Sequence, residues 1–290
     1  MKKYIFPVMM LACSCQLTAQ KTDKEPYTIN RFADAKISNV HSESSGGNIT
    51  VMGENSSATA RVEVYVDRNN SRQNALTKEE IRQKLEADYD LNVSFANNTI
   101  TAIARHKKTN NGVWDWRDAL SISFKIFVPK NVSTDLSTSG GNIKLSDLNG
   151  TQEFKTSGGN LVIDNLSGKM EGRTSGGNIV LKGSKDNIDL STSGGNINAE
   201  NCSGNIHIST SGGNLALSEL KGDIHASTSG GSVHGDHISG DLVAHTSGGS
   251  INLKEISGDL EAPTSSGNMN ASLSAVTKTL KRSNAGGEIK

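Results

Sequence analysis

The sequence predicts an all-β chain whose body is a parallel β-solenoid (β-helix) of about 18 residues per coil, preceded by an irregular strand-rich segment with one short helix. Three observations carry that expectation. "TSGGN" at Thr138–Asn142 returns at Thr156, Thr174, Thr192 and Thr210, then as "TSGGS" at Thr228 and Thr246 and "TSSGN" at Thr264, each step being eighteen residues. Within the period, apolar residues fall in pairs two apart, as in a short strand with one buried face. Thirty glycines against 4% aromatics suit narrow stacked corners better than a bulky globular core.

Residues 1–20, "MKKYIFPVMMLACSCQLTAQ", have two lysines, an apolar run and a small residue at Ala19. They read as a secretory signal peptide, too short to span a bilayer as a stable anchor. Cys13 and Cys15 keep a lipoprotein signal open, in which a cysteine is acylated and anchors the chain. Only Cys202 lies beyond the leader, so no disulfide framework is expected despite an exported context. Thirty basic and thirty acidic residues balance, which gives no electrostatic footprint for nucleic acid.

Residues 21–131 form the irregular front. "SSGGNITV" at Ser44–Val51 is a stray copy of the repeat, ninety-four residues before Ser139 and out of step with eighteen. It reads as an early coil followed by an inserted segment that caps or flanks the open end. In that insert Thr77 and Glu80 have capping-box spacing at the head of "TKEEIRQKLEA", a short helix. "ARVEVYV", "LNVSF", "TITAIA" and "LSISFKIFVP" alternate as strands.

Residues 132–290 hold the regular coils and a C-terminal cap. Counting the repeated Thr as position one, position six reads Ile143, Leu161, Ile179, Ile197, Leu215, Val233, Ile251 and Met269. Positions eight, eleven, fifteen and seventeen are also mostly apolar. "GGNINAEN" is echoed nine residues later by "SGNIHIST", which suggests two similar nine-residue arms per coil. The paired glycines are expected to supply φ > 0 at a corner, and the stacked Asn, Thr and Ser columns to hydrogen-bond along the axis. Gln152 and Lys278, polar in the otherwise apolar position fifteen, read as polar ends that prevent end-to-end growth.

With its leader, strand-rich front and "VPKNVSTDLSTSGGNIKL" (Val128–Leu145) running into SGGN coils, the chain resembles a bacterial β-solenoid family described as putative adhesins. The resemblance covers nearly all of the mature chain. It implies an exported, non-catalytic surface or envelope protein; no cofactor is expected, and the expected partner is a surface glycan or another protein.

Sites are judged on the outward positions. Position sixteen carries Glu153, Glu171, Asp189, His207 and His225, so a carbohydrate-active enzyme, a lyase or hydrolase on a β-helix, is the alternative. No G-x-S-x-G elbow, Walker loop or H-E-x-x-H occurs. Metal could be held by His207 with His225, or by His234, Asp236 and His237; outward polar residues are the default reading and no metal is expected. Asp223, Asp241 and Asp259 share position fourteen, but earlier coils lack the repeated Asp that calcium-binding rolls need. The eight-fold Thr column resembles an ice-binding rank, though position eighteen beside it is mixed. Trp114 and Trp116, two apart in "NNGVWDWRD", are the candidate contacts for a glycan or protein, with packing against the coils as the competing role. Cys202 falls at inward position eleven and reads as buried and inert.

Overall fold

The alternation at positions six and eight becomes a short strand, and that at fifteen and seventeen a long one. In a computed structural model the described residues are 25–33, 35–55, 59–68, 76–107, 119–275 and 280–284. Each eighteen-residue period makes one coil of two strands, for example Ile197–Glu200 and Ser203–Thr210. The two arms are therefore unequal, four and eight residues, rather than matched nonapeptides. Coils pair in parallel with an eighteen-residue step, so that Ile179, Ile197 and Leu215 stand opposite one another. All eight residues of the position-six column are at most 1% exposed. Burying one such side chain contributes about 1.5–3 kcal/mol, and stacking repeats it coil after coil.

The front strands are β1 (Thr28–Ala33), β2 (Asn39–Ser44), β3 (Ile49–Glu54) and β4 (Thr59–Arg68). Helix α1 (Lys78–Asp88) follows, then β5 (Tyr89–Ala96), β6 (Thr99–His106) and β7 (Leu120–Pro129). The first regular coil begins with β8 (Ser133–Thr138) and β9 (Ile143–Ser146). Strands β2 and β3 do form an early coil, with Ser44 opposite Thr138 and Ile49 opposite Ile143. On its other side that coil pairs with β6 and β7, which come later in the chain. Spatial order and sequence order thus differ at this end. Antiparallel β5 lies outside β6, and β4 then β1 lie outside β7. Helix α1 carries the expected capping box: Glu80 N–H donates to Thr77 Oγ1 at 3.3 Å and Thr77 N–H to Glu80 Oε2 at 2.8 Å.

The corner chemistry differs from expectation. None of the SGGN glycines has a left-handed φ; positive φ falls at position ten, as in Asp147, Asn165 and His237, and at position thirteen, as in Gly204 and Gly222. The second glycine of SGGN is required by close approach instead. A Cβ on Gly195 would sit 1.9 Å from the carbonyl oxygen of Gly177, whereas one on Gly194 would meet nothing nearer than 3.6 Å. Thr210 Oγ1 donates to Gly195 O at 2.9 Å and accepts from Gly213 N–H at 3.2 Å, tying two coils together. The same pair of bonds recurs from Thr138 to Thr264. The Thr side chains are at most 6% exposed, so they point inward and present no outward rank to ice. Asn side chains do bond along the axis, but to backbone: Asn196 N–H donates to Asn178 Oδ1 at 2.8 Å.

Two end assignments are corrected. Gln152 is fully buried, not terminal; its Oε1 accepts from Thr134 Oγ1 at 2.7 Å and its Nε2 donates to Val132 O at 2.8 Å. Further coils lie beyond it. At the other end Leu280 stands opposite Leu260, so the final period is two residues longer and Leu280 takes the place expected for Lys278. Lys278 itself lies outside the described residues. Irregular registers between Leu253, Ile256 and Ser257 and their partners mark the start of this shift.

Candidate binding face

Outward residues of a solenoid stack into columns, so each column is a rank of side chains one coil apart, about 4.8 Å. On the long-strand face two such columns flank the backbone of position fifteen. Position sixteen brings Asp135, Glu153, Glu171 and Asp189 into register, followed by His207 and His225. Two of these carboxylates have partners: His41 Nδ1 lies 3.0 Å from Asp135 Oδ2, and Arg173 donates to Glu171 at 2.9 Å. Position fourteen brings Lys169, Asn187, Asn205 and Asp223 into the neighbouring column.

Between the two columns lies an open groove of about 340 Å³, running from Lys169 to His225. Met170, Ile188 and Ile206 underlie it with their side chains buried, so its floor is strand backbone and its exposed carbon belongs to that backbone and to the stems of the wall side chains. Asn205 Nδ2 donates to Asn187 Oδ1 at 3.1 Å, and the His207 and His225 rings lie 6.2 Å apart, tilted by 42°. A second trough, of about 720 Å³, follows the Ser–Thr corner, with Lys155 and Arg173 at one end.

The other sequence candidates fall as follows. Trp114 and Trp116 lie outside the described residues, as do Cys13 and Cys15. His207 and His225 are neighbours in one column, as their spacing predicts. In the "HGDH" stretch only part comes together. His237 Nδ1 lies 3.0 Å from Asp236 Oδ1 and its Nε2 2.9 Å from Glu255 Oε2, while His234 faces out from a different column. Hydrogen bonding to Asp236, then the charges of Asp236, Glu255 and Glu219, holds the His237 imidazolium and raises its pKa. Asp223 and Asp241 stack in register, and Asp259 follows in the same column. Among the described residues no group of three His, Cys, Asp or Glu side chains converges in a way that could hold a metal ion. Cys202 is buried with its thiol on Glu200 O at 3.2 Å, and burial pushes its pKa up, which suppresses the reactive thiolate. No helix among the described residues is long and apolar enough to cross a membrane.

The groove was not picked out by reading the sequence. The signal was present: amides at Asn187 and Asn205 in one column and imidazoles at His207 and His225 in the other fall in overlapping coils and meet at Asn205 and His207. Reading each column alone, for carboxylates or for cation ligands, hides it.

No model of a known protein family matches the sequence, and no curated protein matches it. In structure the chain is similar to a putative adhesin from Bacteroides fragilis, at 14% identity and a TM-score of 0.37, over 90% of this chain and 95% of the other. It is similar to a putative adhesin from Parabacteroides distasonis at 14% identity and 0.38, over 90% and 95%. A putative cell adhesion protein from Clostridium sporogenes is similar at 8% identity and 0.29, over 89% and 100%. The names of these proteins do not say what this chain binds.

Proposed function

We propose that the chain is an exported, non-catalytic binding or scaffold module of the bacterial cell envelope, an adhesin-type protein that contacts a surface glycan or protein. The leader at residues 1–20 directs it out of the cytoplasm, by signal-peptide cleavage or with lipid attachment at Cys13 or Cys15. One observation carries the reading. The interior is cross-bonded coil to coil by the Thr–Gly bonds, as between Thr210 and Gly195, and this holds the outward columns as a rigid, periodic polar lattice. Preorganised side chains on a rigid frame lower the ordering cost of binding. Trp114 and Trp116 are a second contact candidate in the front segment. A screen of the mature chain against glycan arrays and envelope proteins tests the reading; saturable binding supports it, and failure of both arms leaves it without support. The double change Trp114→Ala, Trp116→Ala separates contact from packing. Lost binding at unchanged melting temperature assigns the pair to contact, and a steep fall in melting temperature assigns it to packing.

The aligned carboxylates Asp135, Glu153, Glu171 and Asp189 favour one second reading, a carbohydrate-active enzyme. Coil stacking by itself produces such alignment. Release of reducing or unsaturated chain ends from a polysaccharide, abolished by Glu171→Gln, would establish the enzyme instead.

A further inference from the structure

We propose that the groove between Lys169 and His225 on the long-strand face is a carbohydrate subsite that takes an extended, uncharged glycan chain laid along the solenoid axis. The proposal rests on the binding-module reading above and puts its contact surface on the coils, not on the two tryptophans.

The lining has the two chemistries a sugar presents. A pyranose offers C–H faces and hydroxyl edges; the groove offers a lining that is mostly carbon, with amide, imidazole and carboxylate groups along its walls. Asn187 uses its Oδ1 to accept from Asn205, and among the described residues Asn187 Nδ2 and Asn205 Oδ1 have no other hydrogen-bond partner. One donor and one acceptor therefore face the groove from adjacent coils. His207 and His225 in the opposite wall each offer a donor and an acceptor in the neutral form. Asp189 and Asp223 add acceptors that can bind two hydroxyls each.

Charge selects among glycans. One lysine, Lys169, stands against two carboxylates, so the lining has no excess of positive charge to hold an acidic polymer. Geometry selects the direction. The wall groups step once per coil, about 4.8 Å, close to the advance of one sugar unit in an extended chain, so one step passes from Asn187 to Asn205 on one wall and from His207 to His225 on the other. The amide–imidazole stretch is confined to the groove. Above it position sixteen returns to Glu153 and Glu171, and below it to Val243 and Glu261.

The full chain is titrated calorimetrically with cellohexaose, chitohexaose and maltohexaose, with hexagalacturonate as the acidic arm, while the His207 and His225 ring signals are followed by NMR. At least one neutral hexasaccharide is expected to bind and shift both signals, and hexagalacturonate to bind more weakly. Asn205→Ala with His207→Ala, both at exposed positions, should weaken that binding at least about tenfold with an unchanged melting temperature. Binding that survives the groove double variant overturns the subsite and leaves the binding module standing. So does capture of an envelope protein without any oligosaccharide response. Tighter binding of hexagalacturonate than of every neutral probe overturns the assigned ligand class.

Discussion

Gly195 lies so close over Gly177 that a methyl group on it would be 1.9 Å from the carbonyl oxygen beneath, while its neighbour Gly194 has room for one. The two glycines of SGGN thus do different jobs. The second is where backbone passes over backbone from coil to coil, and the first faces outward. Ser266 replaces the first glycine in the last copy, whereas Gly267 keeps the second with the same 1.9 Å approach to Gly249.

Substitution at the two positions should therefore diverge. Gly195→Ala forces the coils apart at a corner that also holds the Thr210 bond, and is expected to destabilise by at least about 3 kcal/mol. Gly194→Ala meets only ordinary contacts and removes freedom from the unfolded chain, so it should be neutral or stabilising by up to about 1 kcal/mol. Chemical denaturation of both variants decides the matter. Similar losses at the two sites would refute the close-approach account.

Much of this was readable beforehand, because a fixed period converts sequence spacing directly into stacking. The inward columns at Ile197 and Ile206 and the Thr77–Glu80 capping box needed nothing beyond local pattern. Other features depended on contacts the period does not encode. Strands β6 and β7 wedge above the early coil although they follow it in sequence, since ninety-four residues is not a whole number of periods. Gln152 reads as a polar end until Thr134 and Val132 O are found satisfying it inside. A two-residue lengthening moves Leu280 opposite Leu260 and invalidates simple counting at the C-terminal end. The groove escaped notice because it belongs to two columns and four coils at once.

Ser42 gives a second prediction. It occupies the inward column between Ala102 and Leu136, is fully buried, and its hydroxyl has no hydrogen-bond partner among the described residues. Its neighbour Ser44, by contrast, donates to Ile122 O at 2.7 Å. An unsatisfied buried hydroxyl costs about 1–3 kcal/mol, so Ser42→Ala should stabilise by roughly 1 kcal/mol after loss of some packing. A lower denaturation midpoint for the alanine variant would mean that the hydroxyl is satisfied, for instance by a buried water.

The third prediction concerns pH. His237 is held at φ 52° with Asp236 beside it in its own strand, Glu255 from the next coil and Glu219 from the previous one. Together they raise its pKa above the ordinary histidine value near 6.5, hydrogen bonding to Asp236 being the largest cause. The sign follows from linkage: a raised folded-state pKa means the folded chain binds the proton more tightly than the unfolded one. The stabilisation is fully present below about pH 6.5, and it is lost as pH rises through the folded-state value. His237→Asn keeps a residue that tolerates the left-handed backbone but removes the charge. The gap in denaturation midpoint between wild type and this variant should therefore be larger at pH 5.5 than at pH 9, and the His237 ring signal should titrate above that of a free histidine. A gap that does not change between those two pH values, or that widens at the alkaline end, would show that the carboxylates around His237 do not hold its proton in the folded state.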